Sequence, residues 1–251
     1  MRIFGNKKGH IGFIFSLPLL VFYCLVFVYP LISNFILSFY KANLAIGTRQ
    51  FVGLNNYIAL WSDSRFFNSL RITAVFSVGT VFLQLVIGMG LALFLNLEFR
   101  GKHLLRGLFL LPWVIPPVLV GILWRWSFDP YIGWLNDLLQ KLHLIQNPII
   151  WLGSQFSLFS VIIAQTWRVF PFSMVMILAS LQSVQREIIE AAKVDGAGML
   201  ARFRYITLPN LKTAFLVVLM FQLLFSFRIV SHPLVLTSGG PGDLTTTFAL
   251  Y

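Results

Sequence analysis

Charge is scarce in this chain. Only 11% of its 251 residues are charged, while 58% are apolar, and the mean hydropathy is +0.83. Soluble domains carry about 25% charged residues, so this composition excludes one. Cysteine is nearly absent too. Cys24 is the single one and sits inside an apolar run, so no internal disulfide is possible and no Cys/His spacing suits a metal. Acidic residues number eight, and apart from Glu187, Glu190 and Asp195 they are scattered singly. His10, His103, His143 and His232 lie in different segments. No acid–base pair or ligand cluster emerges that would make this a membrane enzyme. A G-x4-GK[ST] phosphate loop is missing, so the chain has no ATP site of its own. Strict apolar–polar alternation is also missing, which argues against a barrel.

Long apolar runs are what the chain has instead. They cover approximately residues 11–40, 72–97, 107–126, 158–181 and 214–236, and about 20 such residues suffice to cross a bilayer as a helix. The fourth run is interrupted by Arg168, the fifth by Arg228 and His232. The fold class is therefore an all-α polytopic membrane protein with five spans in a single membrane domain, residues 1–251. The first run is too long for a signal-peptide core and lacks a small-residue cleavage site, so it reads as an uncleaved span. The net charge of +11 is unevenly placed. Lys and Arg cluster at Arg2–Lys8, at Arg100–Arg106 and at Arg186–Lys212, and are thinner in the alternate loops. Positive residues favour the cytoplasmic side, which puts the N-terminus and residues 182–212 inside. The basic excess is a topology signal with lipid headgroups as its counter-charge, and nucleic acid is not expected as a partner. Residues 128–155 read as an outer loop, with an interfacial helix around 135–142 and with Trp134 and Trp151 as aromatic anchors. Five spans would leave Tyr251 outside, with 245–251 as the entry to a further helix.

Between the fourth and fifth runs lies Glu190-Ala191-Ala192-Lys193-Val194-Asp195-Gly196-Ala197, followed by Phe203, Ile206, Leu208 and Pro209. Residues 183–194 predict an amphipathic helix. Asp195-Gly196 breaks it, with Gly tolerating a positive φ and Asp195 capping a second helix over 198–205. Small residues at 191, 192 and 196–198 let a partner approach the backbone closely, and Glu190 offers a charge-assisted contact. Taken alone, the stretch also reads as an ordinary helical hairpin. The full pattern EAA-x-x-DGA-x5-F-x2-I-x-LP resembles the cytoplasmic coupling loop of permease subunits in binding-protein-dependent ABC importers. Further elements are similar to the carbohydrate-uptake branch, the maltose and glycerol-phosphate permease type: Phe51-Val52-Gly53-Leu54-Asn55-Asn56-Tyr57, Arg106–Pro116, and Leu236-Thr237-Ser238-Gly239-Gly240-Pro241.

The resemblance implies a type I ABC importer-like permease, the first type of a heterodimeric pair, with a sixth span beyond residue 251. It implies a cytoplasmic (inner) membrane of a bacterium or archaeon. The expected partners are a second homologous permease, two ATPase subunits that hold ATP and Mg, an extracytoplasmic solute-binding protein and a sugar-like solute. Glu190, Ala191, Ala192, Asp195, Gly196 and Ala197 would form the ATPase interface. Arg228 departs from the branch, which often has an acidic or amide residue there. A non-transporting scaffold or sensor subunit, and a permease for another class of solute, remain as alternatives.

Polar groups inside spans are costly and usually face a cavity or another helix. Sugars are bound by amide and hydroxyl hydrogen bonds and by flat aromatic faces. Trp113, Trp167, Phe172, Gln222 and Ser226 supply both kinds, and Arg168 or Arg228 suits an anionic group. The prolines Pro112, Pro116 and Pro117 should distort the third span and free carbonyls. Each polar residue also reads as packing glue, with Trp167 an interfacial anchor and the arginines snorkelling.

Overall fold

The computed structural model describes residues 5–43 and 47–251, so the basic start at Arg2 lies outside the described residues. The chain forms two compact units, divided between Asp63 and Ser64.

In the first unit, helix α1 (Gly5–Tyr23) passes through one widened turn, Cys24–Val28, into α2 (Tyr29–Leu37). The widening has a local cause. Pro30 lacks the N–H that an α-helix would aim at the Val26 carbonyl, and Tyr29 N–H donates one residue further back, to Cys24. Residues Phe13–Leu37 are long and apolar enough to cross a membrane. A short antiparallel pair follows, β1 (Tyr40–Asn43) with β2 (Thr48–Phe51), in the register Tyr40↔Phe51. These strands are an addition to the all-helical expectation. Helix α3 (Asn55–Trp61) is tied back to them. Asn56 Nδ2 donates to the carbonyls of Ser38 (2.7 Å) and Tyr40 (3.1 Å), and the Tyr57 hydroxyl meets Ser38 Oγ at 2.6 Å. The Gly53–Tyr57 motif thus closes the hairpin, with Gly53 at φ +57°.

The second unit holds α4 (Ser64–Leu95), α5 (Lys102–Val114), α6 (Pro117–Ser127), α7 (Trp134–Lys141) and α8 (Ser157–Gln182). It continues through α9 (Arg186–Val194), α10 (Met199–Arg202), α11 (Leu208–Asn210), α12 (Lys212–Arg228) and α13 (Ser231–Thr237). Helix α8 is the central post, in contact with α4, α5, α6, α12 and α13. Its main seam runs along α4, where Ser69, Thr73, Ser77, Thr80, Gln84, Gly88 and Ala92 recur every three or four residues and are all buried. Lipid is as apolar as leucine, so close backbone approach through small residues supplies the packing that hydrophobicity alone cannot.

Two of the expected spans are not straight. Helices α5 and α6 meet at 98°. Pro116 and Pro117 remove two consecutive N–H donors and Ile115 is extended, so the predicted proline distortion is a full break. The run 214–236 is also split, at Ile229-Val230. Pro233 cannot donate to the Ile229 carbonyl, which accepts from Thr247 Oγ1 instead at 3.1 Å. Counting by length and composition, three helices among the described residues suffice to cross a membrane, or up to five if each bent pair is one span.

The loop between α6 and α8 contains the expected short helix, one residue earlier than predicted, as α7. Trp134 is half exposed and donates to Ser127 Oγ at 2.8 Å, whereas Trp151 is buried in the core and is not an interfacial anchor. The reason is Asn136. Its Oδ1 accepts from Trp151 Nε1 (2.9 Å) and Ile149 N (3.2 Å), and its Nδ2 donates to the carbonyls of Ile149 and Pro130. Asn136→Asp keeps the first two bonds and turns the second two into oxygen–oxygen repulsions. It is expected to cost about 2 to 4 kcal/mol, a fall of roughly 5 to 10 °C in the melting temperature of the purified protein.

The segment after α13 folds back on the start of α4. Arg65 grips Asp243 with two bonds of 2.9 and 3.0 Å, and Phe248 N donates to Thr73 Oγ1 at 2.7 Å. The Arg65 guanidinium, assisted by the Thr246 hydroxyl, holds the Asp243 carboxyl below the usual carboxylate range.

Candidate functional site

The Glu190 stretch forms an elbow whose shape follows from one glycine. Helix α9 ends with Asp195 as its last cap, and Gly196 takes φ +77°, a conformation in which side chains are strained. The Gly196 N–H then reaches Lys193 O (3.1 Å) and the Ala197 N–H reaches Ala192 O (2.9 Å). These are the paired bonds of a Schellman C-cap, which satisfy the carbonyls at the helix end. Asp195 therefore closes α9 and does not cap the next helix, as was expected of it. Gly198 takes the N-cap position of α10, and Arg202 Nη1 donates back to Ala197 O at 3.2 Å, bracing the turn. Helix α9 begins at Arg186, three residues later than predicted, because Gln185 is extended.

The second helix also differs from the expected 198–205. It continues through a widened turn, Phe203–Thr207, to Asn210 with Pro209 inside it. Leu208 N–H donates to Phe203 O, one residue further back than in an α-helix, and this shift lets the chain pass a proline without ending. The elbow is seated against the end of α4. Leu93, Phe94 and Leu97 face Leu200, Phe203 and Ile206 across an apolar groove of about 790 Å³. Glu190, Ala191, Asp195 and Gly196 are exposed, and so are Val194, Met199 and Leu200, the last two at the open edge of this groove, while Ala192 and Ala197 are half-buried. After a bend of 54°, the same chain becomes α12.

Helices α5, α8 and α12 enclose a second candidate site. Trp113, Arg168, Phe172 and Gln222 line one cavity of about 150 Å³, with Phe221 and Phe225. Its aromatic wall is continuous, since the Phe172 ring lies 5.9 Å from Trp113 and 5.5 Å from Phe221. A neighbouring cavity of about 280 Å³ is lined by Gln165, Arg168, Phe225, Arg228, Ser231 and His232, among others. Arg168 faces both.

Five of the seven residues expected on the solute path thus line these two cavities. Ser226 is fully buried on α12 with its hydroxyl unpartnered, and lines neither of them. Trp167 points elsewhere, packing edge-on against Trp124 at 5.9 Å as a contact between α8 and α6. Sequence reasoning did not single out Phe221 and Phe225, whose apolar character is unremarkable in a span. Several buried polar atoms without hydrogen-bond partners belong to residues of these walls: Gln165 Oε1, Gln222 Oε1, Arg168 Nε and both ring nitrogens of His232. Such atoms are costly in a dry interior and are suited to a polar ligand. No group of three or more His, Cys, Asp and Glu residues suited to a metal occurs among the described residues.

Residues 84–251 match the family described as "Binding-protein-dependent transport system inner membrane component". The chain is 34% identical over 245 residues to the trehalose/maltose transport system permease protein MalF of Thermococcus litoralis, covering 97% of this chain and 82% of that protein. It is 36% identical over 236 residues to the sulfoquinovosyl glycerol transport system permease protein SmoG of Agrobacterium fabrum, covering 93% and 76%. Its fold matches a chain in the crystal structure of a bacterial alginate ABC transporter in complex with an alginate pentasaccharide-bound periplasmic protein. The TM-score there is 0.79 at 20% identity, over 98% of this chain and 82% of that one.

Proposed function

This chain belongs to the family of binding-protein-dependent transport system inner membrane components, and from that premise we propose that it carries a sugar or a related polar solute inward by alternating access. One observation carries the reading most directly: past the elbow, α10 and α11 lead across a 54° bend at Leu211 into α12, the helix that carries Gln222 into the solute cavity. From Lys212, where the elbow passes into α12, Gln222 lies ten residues on, about 15 Å at 1.5 Å per residue. Movement of the elbow is therefore delivered to the cavity wall without an intervening loop.

The motor lies in other chains. Two ATPase subunits hold ATP and Mg, and their closure pushes on Glu190, Ala191, Ala192, Asp195, Gly196 and Ala197. A second permease completes the pathway, and an extracytoplasmic binding protein delivers the solute. On ATP-driven closure the spans rock open toward the loaded binding protein, and hydrolysis resets them inward. The subunit itself catalyses no reaction. The N-terminus and the elbow are cytoplasmic, consistent with the basic clusters on that side. Membrane lipids surround the exposed apolar faces.

The sugar reading rests on the cavity's chemistry, an aromatic wall opposite an amide, and on relatives whose names specify trehalose/maltose and sulfoquinovosyl glycerol. Its test is the substitution Gln222→Ala in the assembled transporter. Solute uptake into vesicles is expected to fall roughly tenfold, the loss of about 1.4 kcal/mol of binding, while ATP hydrolysis continues. Unchanged uptake would sink this role for α12.

A further inference from the structure

The geometry points to a solute that carries a negative charge: a sugar bearing a carboxylate, sulfonate or phosphate, held by Arg168 midway across the membrane. This rests on the permease reading above and narrows its substrate class. Arg168 is eleven residues from Ser157 and fourteen from Gln182 in α8, about 16 and 21 Å along the axis at 1.5 Å per residue. That position is near the centre of a hydrocarbon core about 30 Å thick, too far from either surface for the guanidinium to snorkel out.

A cation at that depth calls for a counter-charge. None is supplied from within. The acidic residues of the chain all fall outside α8 and α12, and no ion pair among the described residues involves Arg168. Arg168 Nε is buried with no hydrogen-bond partner. Arg168 also lines both cavities, and Arg228 joins it in the second, where no carboxylate lines the wall. A neutral sugar would leave this half-buried guanidinium without a counter-charge. An anionic group accepts its planar fork of donors in two parallel bonds. Gln165, Gln222 and His232 then supply partners for hydroxyls, and Trp113 and Phe172 a flat face for the ring. Arg228 is exposed, and serves as a second cation along the same route.

The experiment uses the assembled transporter in nanodiscs, titrated with glucuronate and with glucose, which differ only at C6, a carboxylate in place of a hydroxymethyl group. The readout is the quenching of tryptophan fluorescence. Glucuronate is expected to bind roughly tenfold more tightly than glucose, a difference expected of a charge-assisted pair. Arg168→Gln should abolish that preference while retaining glucose binding, and Arg168→Lys should keep part of it. Equal affinities in the unsubstituted complex, no binding of glucuronate, or a preference unchanged in Arg168→Gln would each overturn the proposal. So would a tightly held phospholipid that Arg168→Gln releases, read by native mass spectrometry, since the anion would then be a headgroup. Failure of the permease reading has a different signature: the unsubstituted complex would show no stimulation of ATP hydrolysis by its loaded binding protein.

Discussion

Gly198→Asn is expected to cut ATP-driven uptake by roughly tenfold or more and to leave the subunit folded. The two glycines of the elbow, Gly196 and Gly198, respond differently to a side chain. Gly196 holds φ +77°, so any side chain there strains the turn itself by about 1 to 2 kcal/mol. A loss of uptake at that position would not separate a damaged elbow from a blocked partner. Gly198 differs in both respects. Its φ is −64°, open to any residue, and a Cβ built on it meets nothing within 4 Å. Asparagine is also among the best N-cap residues, so the start of α10 is preserved. Within this chain the substitution is harmless. Only a partner surface packed against the elbow would feel it, and an interface packed to interior density has no room for four added heavy atoms. The exposed apolar side chains of Val194, Met199 and Leu200 flank this point, as a docking surface requires. The measurement is solute uptake into vesicles together with the melting temperature of the purified subunit. Glu190→Lys is a second arm, reversing an exposed charge without touching the fold. Full uptake in both variants would refute the coupling role.

Much of this arrangement is legible in the sequence, and the illegible parts share a cause. The prolines at 112, 116 and 117 announce a broken span because a missing N–H acts locally, and Asp195-Gly196 announces a turn for a similar reason. Trp113, Arg168, Phe172 and Gln222 could be named because polar and amphipathic groups stand out against an apolar run. What cannot be read is which groups meet. Helices α8 and α12 converge on one cavity although some fifty residues separate Arg168 from Gln222, and no local pattern encodes that distance. In a membrane protein both faces of a span are apolar, so the period that marks the buried side of a soluble helix is lost. Trp151 reads as an anchor for a different reason, since a tryptophan in an outer loop favours the membrane interface. Only its bond to Asn136, fifteen residues away, shows it to be core. Likewise, Pro209 reads as a helix boundary until the widened turn before it shows how the chain passes through.

The packing seam between α4 and α8 carries the other large effect. A Cβ added at Gly88 would lie 2.8 Å from Ser173 Cβ, 3.0 Å from Met174 N and 3.2 Å from the Ser173 carbonyl carbon. Two of those three atoms are backbone, so no rotamer change relieves the clash. The helices themselves must separate. Just beyond this point Ala92 and Leu95 pack with Met174, Ile177, Leu178 and Leu181, and Arg168 lies on the other side of Ser173, in the same helix. Separation therefore opens the core on one side and displaces the cavity wall on the other. Gly88→Leu is expected to cost about 3 kcal/mol or more, and so to remove most folded subunit from the membrane. Gly90→Leu is the matched control. It makes the same change of residue two positions along, where an added Cβ meets nothing within 4 Å and the backbone is exposed. Helix propensity and lipid partitioning alter equally in the two variants, so a difference between them isolates the contact with α8. The measurement is the yield of folded subunit after detergent extraction, followed by elution from a sizing column. Equal yields would mean that α4 and α8 do not approach this closely in the membrane. The central post of the second unit would then be packed in some other way, and the cavity beside Arg168 with it.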